Sequence, residues 1–148
     1  MNEVSGSPKN KEESMIAMNV NDKKDQKIET YPYRGKPLPV KDVSIRWLSQ
    51  AGPEGAPEYG LRFFTIGPSG EIPIHNHLYY QTMYILSGHL KCFKHDPKTD
   101  QIVDQKVLGP NDFIFIPTME VHSMKNTSDK ENVTFLCCIA NVYEGESI

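Results

Sequence analysis

Gly70-Glu-Ile-Pro-Ile-His75-Asn-His77-Leu-Tyr-Tyr-Gln81-Thr-Met-Tyr-Ile-Leu-Ser-Gly88 is the stretch on which the fold turns. Histidines at i and i+2 share a face only on an extended strand, where side chains alternate with period two. Gln81 follows four residues after His77, and a third histidine, His122, comes just after the strand-like run Phe113-Ile-Phe-Ile-Pro117. Neutral imidazole is the commonest protein ligand for a transition metal. Ligands drawn from separate strands onto one point predict a metal ion held inside a β-barrel.

The surrounding sequence has the same β texture. Ser44-Ile-Arg-Trp-Leu48, Leu61-Arg-Phe-Phe-Thr-Ile66, Thr82-Met-Tyr-Ile-Leu86 and Leu90-Lys-Cys-Phe93 read as strands, and residues 102–107, 113–116 and 133–142 continue the series. Turn residues fall between them: Gly67-Pro68-Ser69-Gly70, Ser87-Gly88, Asp96-Pro-Lys-Thr-Asp100 and Gly109-Pro-Asn-Asp112. Short strands separated by regular turn signals predict an all-β sandwich or barrel with little helix. Residues 50–59, with two Pro and two Gly, are expected to form a loop across one mouth. Residues 1–30 are polar and charged with no sustained period, a composition that buries too little surface to offset its ordering entropy. They read as a flexible or arm-like tail, with a short helical turn around 12–20, and 31–148 as the barrel domain.

At 148 residues the chain holds one domain with a core of its own. A net charge of −3 gives no footing for nucleic acid or an anionic membrane, and Lys23-Lys24 lie among acids. No apolar run is long enough to span a bilayer, and Met15-Ile-Ala-Met18 is too short for a signal region. A cytoplasmic location is expected. Three cysteines, Cys92, Cys137 and Cys138, make an odd number without disulfide spacing, and read as reduced thiols. Strand alternation turns at most one of Cys137 and Cys138 inward.

The two histidine segments together resemble the cupin superfamily. Its first motif is carried by Gly70, His75, His77, Gln81 and Gly88, its second by Gly109-Pro-Asn-Asp-Phe-Ile-Phe-Ile-Pro117-Thr-Met-Glu-Val-His122-Ser-Met-Lys-Asn126. The resemblance implies a double-stranded β-helix, or jelly-roll, barrel. It also implies one divalent transition metal (iron, manganese, nickel, copper or zinc) on His75, His77, Gln81 and His122, a small-molecule substrate, and a homodimer.

Two positions depart from the motifs. Met119 stands where glycine is usual, and Gln81 where glutamate is usual. The second is a chemical change. A carboxamide oxygen can bind a metal, yet it leaves one more positive charge on the ion than a carboxylate does. The ion becomes a stronger Lewis acid and prefers anionic ligands, at lower affinity. It also lacks the carboxylate base ascribed to flavonol-cleaving cupins. Glutamine ligation further resembles small cupins that open unsaturated uronate sugars, whose ligand spacing is one residue longer.

Around this centre Tyr79 and Tyr80 are candidate catalytic or wall residues whose facing the turn leaves open. Arg62 is a candidate for a substrate carboxylate or a surface ion pair. Met83, Phe113, Phe115, Met124, Phe135 and Cys137 are candidate pocket lining, and His89 and His95 read as surface histidines. No Ser-His-Asp order, phosphate-cradling Gly loop or Cys-x-x-Cys pair is present. Three function classes follow: O₂-dependent cleavage of an enol, diketone or similar group; redox-silent isomerisation or lysis of a sugar acid; and non-catalytic binding of a small ligand or metal.

Overall fold

The structure, a computed structural model, describes residues 15–50 and 58–140. Its strands are β1 (Gln26–Tyr33), β2 (Lys36–Ser49), β3 (Tyr59–His75), β4 (Gln81–Ser87), β5 (Leu90–His95), β6 (Ile102–Leu108), β7 (Phe113–Ile116), β8 (His122–Asn126) and β9 (Val133–Ala140). They pair in the order β6-β5-β8-β3-β9-β4-β7, with β2 added to β3 and β1 to β2. This is an all-β, nearly closed barrel of the double-stranded β-helix type. No helix among the described residues is long and apolar enough to cross a membrane.

Alternation decides which side chains enter. Along β4, Gln81, Met83 and Ile85 are buried while Thr82, Tyr84 and Leu86 face out. Along β9, Val133, Phe135, Cys137 and Ile139 are buried and Cys138 is exposed, so one of the two adjacent thiols faces in. Phe64 stacks on Phe135 at 4.8 Å between ring centroids, at the heart of the core. Strand β6 is exposed along its length except at Leu108 and carries Asp104 and Lys106, the charged character that keeps an edge strand from pairing further.

Strand β3 joins the two halves. Gly67-Pro68-Ser69-Gly70 has turn composition, yet the chain bends there without leaving the strand. Tyr59–Ile66 pairs with β9, whereas Glu71–His75 pairs with β8. The bend is absorbed by a register shift on β2 between Lys41 and Val43, with Asp42 and Ser69 both at positive φ. Such irregularities let one strand serve two sheets. A Cβ at Gly70 would lie 2.7 Å from the Ile66 side chain and 2.8 Å from the Lys41 carbonyl oxygen, so no larger residue fits this corner. Buried Asn126 fastens the corner: its Nδ2 reaches the carbonyls of Ile66, Gly67 and Glu131 at 2.8–3.1 Å. Beyond the bend, β3 delivers His75.

Several elements differ from the sequence reading. Pairing begins at Gln26, inside the stretch read as tail, because Tyr31 and Tyr33 are buried and Ile28 packs against the core. Their alternation was hidden among polar residues. The helical turn expected over 12–20 lies partly outside the described residues; the turn observed is a 3₁₀ turn at Val20–Asp22, capped by the Asn19 side chain. The loop over 50–59 falls largely outside the described residues, as do the last two residues of the strand expected over 133–142. His89 is exposed as expected, but His95 is buried, its ring nitrogens bonded to Asp100 O at 2.9 Å and Ser123 Oγ at 2.8 Å. These two partners tie the β5–β6 turn to β8, which a strand-end histidine does not disclose in sequence.

Met119 occupies the left-handed region at φ 63°, while its N–H donates to the His77 carbonyl at 2.8 Å. That conformation costs a non-glycine residue roughly 1–2 kcal/mol, partly offset by the lower unfolded-state entropy of methionine. Met119→Gly is therefore expected to raise stability, by about 1 kcal/mol at most. The urea midpoint measures it, and a clear fall would mean that the half-exposed methionine side chain holds contacts stronger than this strain.

Candidate metal centre

The barrel fold brings His75, His77 and His122 together. His75 ends β3 and pairs in register with His122, the first residue of β8, and His77 follows two residues after His75. Their ring centroids are separated by 5.5, 4.3 and 5.0 Å, and one ligand nitrogen from each lies within 4.8 Å of the others. Each Nδ1 is tied to a backbone carbonyl two residues away in sequence: Pro73 for His75 at 2.8 Å, Tyr79 for His77 at 2.9 Å and Glu120 for His122 at 2.7 Å. A carbonyl only accepts, so Nδ1 must carry the proton and Nε2 the lone pair. The Nε2 atoms of His77 and His122 are buried without a hydrogen-bond partner. Buried acceptors left unmatched, with their opposite ring nitrogens locked, fit a metal ion; this is how metal-binding histidines are generally oriented.

Burial also keeps the rings neutral. It holds His75 well below the ordinary histidine range, with the neighbouring His122 adding to the effect. Burial lowers His77 to about 4, again assisted by His122, and lowers His122 to about 4 against the opposing pull of the Glu120 carbonyl. All three are therefore deprotonated donors at neutral pH, as metal binding requires.

Gln81, at the start of β4, is buried beside this group. Its Oε1 accepts from the Cys137 thiol at 3.8 Å and its Nε2 lies 3.4 Å from Met83 Sδ. With His75 it borders a small space of about 10 Å³, also lined by Arg62, Met83, Met124, Phe135 and Cys137. Of these, Met83 and Met124 are the positions that share strand parity with Gln81 and His122. No Asp or Glu among the described residues joins the three histidines. A second space of about 70 Å³ opens on His122 between edge strands β6 and β7, lined by Ile114, Ile116 and Met124 and rimmed by Lys94, Lys106, Asp104 and Glu120.

Three expected site residues do not belong to it. Phe113 and Phe115 are 66 % and 53 % exposed, because β7 turns Ile114 and Ile116 inward and the phenylalanines out. Tyr80 is half exposed and stacks on Phe115 outside the barrel at 5.8 Å, whereas Tyr79 is buried and stacks on His77 at 3.9 Å. Arg62 is buried and makes no surface ion pair. Sequence reasoning also missed Tyr31, whose ring stacks on His75 at 4.7 Å. The available signal was the two-residue spacing of Tyr31 and Tyr33 next to a β-rich region.

A family profile described as the cupin domain matches residues 62–139, which include the three histidines and Gln81. The chain belongs to the cupin family. Among curated proteins, none matches this sequence. Among solved structures, the polyketide cyclase RemF from Streptomyces resistomycificus is 24% identical, with a TM-score of 0.65 over 88% of this chain and 87% of its own. The cupin-2 domain protein Rru_A2000 from Rhodospirillum rubrum is 18% identical, with a TM-score of 0.63 over 91% and 80%. An oxalate decarboxylase variant from B. subtilis is 12% identical, with a TM-score of 0.61 over 88% of this cupin and 31% of that longer chain. At these identities the likeness is one of fold.

The depressed histidines make stability pH-dependent. Between the unfolded value near 6.5 and the folded value of about 4, the unfolded chain binds protons that the folded protein refuses. The stability of metal-free protein is therefore complete above pH 6.5 and is lost progressively as pH falls towards 4. Urea midpoints at pH 7 and pH 5 should differ in that direction, and the difference should shrink in a His77→Asn, His122→Asn double variant. Equal differences in the two proteins would contradict the neutral triad.

Proposed function

We propose that this cupin is a metal-dependent enzyme that cleaves an enol, diketone or related group of a small oxygen-rich molecule with O₂. One observation supports the reading most: a buried set of imidazoles, locked from behind by carbonyls, with no carboxylate among them. His75, His77, His122 and Gln81 would hold one divalent iron, manganese, nickel, copper or zinc ion. When bound, such an ion supplies a Lewis acid and, if redox-active, an electron relay to O₂.

The chain's own residues fit that chemistry. Met83, Met124 and Phe135 wall the cavity with apolar surface, which excludes water and protects reactive species. No carboxylate lines the space bordered by His75 and Gln81, and the carboxylates nearest His122, Asp104 and Glu120, stand on the rim of the other space, so none of that kind is placed as a proton-abstracting base beside Gln81. A substrate that ionises easily, such as an enolised dicarbonyl, suits the site for that reason. Tyr79, stacked on His77, is the aromatic wall closest to the histidines and the candidate for orienting a planar enolate.

A redox-silent reading, with carbonyl polarisation in an isomerase or lyase of a sugar acid, draws support from the same feature. An uncharged ligand set leaves a bound ion a stronger Lewis acid. One structural neighbour is named for polyketide cyclisation and another for oxalate decarboxylation, but those likenesses bear on fold alone. Oxygen separates the two readings: uptake stoichiometric with loss of a diketone or flavonol by the reconstituted protein supports the first. Turnover that persists without oxygen, with zinc or nickel, overturns it in favour of the second. Gln81→Glu should tighten metal binding about tenfold or more by restoring a negative ligand, and an unchanged affinity would place Gln81 outside the ligand set.

Assembly and compartment complete the proposal. Tyr84 and Leu86 on β4, Phe113 and Phe115 on β7, and Tyr80 just before β4 form an exposed apolar outer face, which supports a homodimer. Light scattering at micromolar concentration should give twice the chain mass, and a clean monomer would contradict it. Three free cysteines support a reducing compartment such as the cytoplasm.

A further inference from the structure

Arg62 is 2 % exposed, and no carboxylate pairs with it among the described residues. It lies on β3 in register with Cys137 of β9, and its Nη2 donates to Cys137 Sγ at 3.0 Å. The guanidinium carbon sits over the rings of Phe64, Trp47 and Tyr79 at 4.8, 5.5 and 5.9 Å. Its Nε is buried with no hydrogen-bond partner. Aromatic faces and a thiol solvate a guanidinium but do not neutralise it. A buried cation without a counter-charge is unfavourable, and an apolar chain of similar volume in its place is expected to leave the fold no less stable. Packing alone therefore does not account for an arginine here.

The location supplies a reason. Arg62 and His75 line the same small space, together with Gln81 and Cys137. That space, about 10 Å³, is close to the size needed for one water molecule. Two of its other walls are Met83 and Met124, side chains that yield readily to a ligand. A planar guanidinium presents its donors in the fork that matches a carboxylate.

We propose that Arg62 is an anion anchor that receives the carboxylate of an organic-acid substrate beside the metal centre. The inference deepens the enzyme reading by naming the substrate class: a small acid whose carboxylate sits next to the enol or carbonyl group to be transformed. The anchor itself rests on Arg62, so the two claims can fail separately.

Trp47 is the single tryptophan in the chain and lies over this guanidinium, so its fluorescence reports on the anchor. The full-length protein, metal-free and metal-loaded, is titrated with sodium formate and, in parallel, with neutral formamide. Ionic strength is held constant with sodium chloride, whose spherical anion cannot engage the guanidinium fork in two places. Formate should change Trp47 emission saturably and raise the melting temperature in both samples, and formamide should do neither. Arg62→Met should weaken formate binding roughly tenfold or more, the effect of losing hydrogen bonds to a charged group. Without anion, the variant should melt no lower than the wild type. Arg62→Gln, which keeps a donor and discards the charge, should lose formate binding as well and serves if the methionine variant does not fold. The proposal is overturned if formate acts no differently from formamide, if either variant binds formate like the wild type, or if Arg62→Met melts well below the wild type. Wild type that binds formate through Arg62 yet holds no metal refutes the metal-enzyme reading and leaves the anchor. Wild type that holds metal but ignores formate refutes the anchor alone.

Discussion

Three short hydrogen bonds, from the Nδ1 atoms of His75, His77 and His122 to the carbonyls of Pro73, Tyr79 and Glu120, fix what this barrel can do. Each is made two residues away along the chain, so local backbone geometry sets the tautomer before any long-range packing is considered. The fold's part is to bring the three rings together. Strand β3 does this by bending at Gly67–Gly70, leaving β9 and joining β8, where His75 meets His122 in register. Asn126 and the absence of a side chain at Gly70 hold that bend. A disturbance at the corner, five residues before His75, would therefore reach the centre through β3.

The electrostatics of the interior are unusual in sign. Neutral imidazoles, a carboxamide and a buried guanidinium lie close together, with the nearest cavity-lining carboxylates, Asp104 and Glu120, out on the rim beside His122, so the interior is poor in negative charge. A metal ion would add to that imbalance. An incoming anion would relieve it, which links the Gln81 departure from the family motif to the buried Arg62. The two positions come from different strands, β4 and β3, and meet only because both strands pair with β9.

Much of this was legible in the sequence. The histidine spacings within the two motifs carried the fold and the group of three histidines, and strand parity with Gln81 and His122 singled out Met83 and Met124, whereas Phe135 and Cys137 were candidates only because their strand flanks the site. Alternation misled where its phase was unknown: the short β7 offered Phe113 and Phe115 against Ile114 and Ile116, and larger aromatics are no guide to the inner face of an edge strand. The turn at Leu78-Tyr79-Tyr80 interrupted the count, so only the structure separated Tyr79 from Tyr80. Strand β1 was invisible because most of its residues face solvent and its backbone is satisfied by β2, a pairing that composition does not record. Likewise, the burial of Arg62 follows from its partners Trp47, Phe64 and Cys137, which lie on three strands.

The central claim is that His75, His77 and His122 together hold a metal. Metal content by plasma mass spectrometry, on untagged and chelator-free protein beside a His122→Ala control, tests it most directly. The account predicts close to one divalent transition metal per chain, lost in the control. No metal above the control, even after reconstitution with iron, manganese, nickel, copper and zinc in turn, would contradict it.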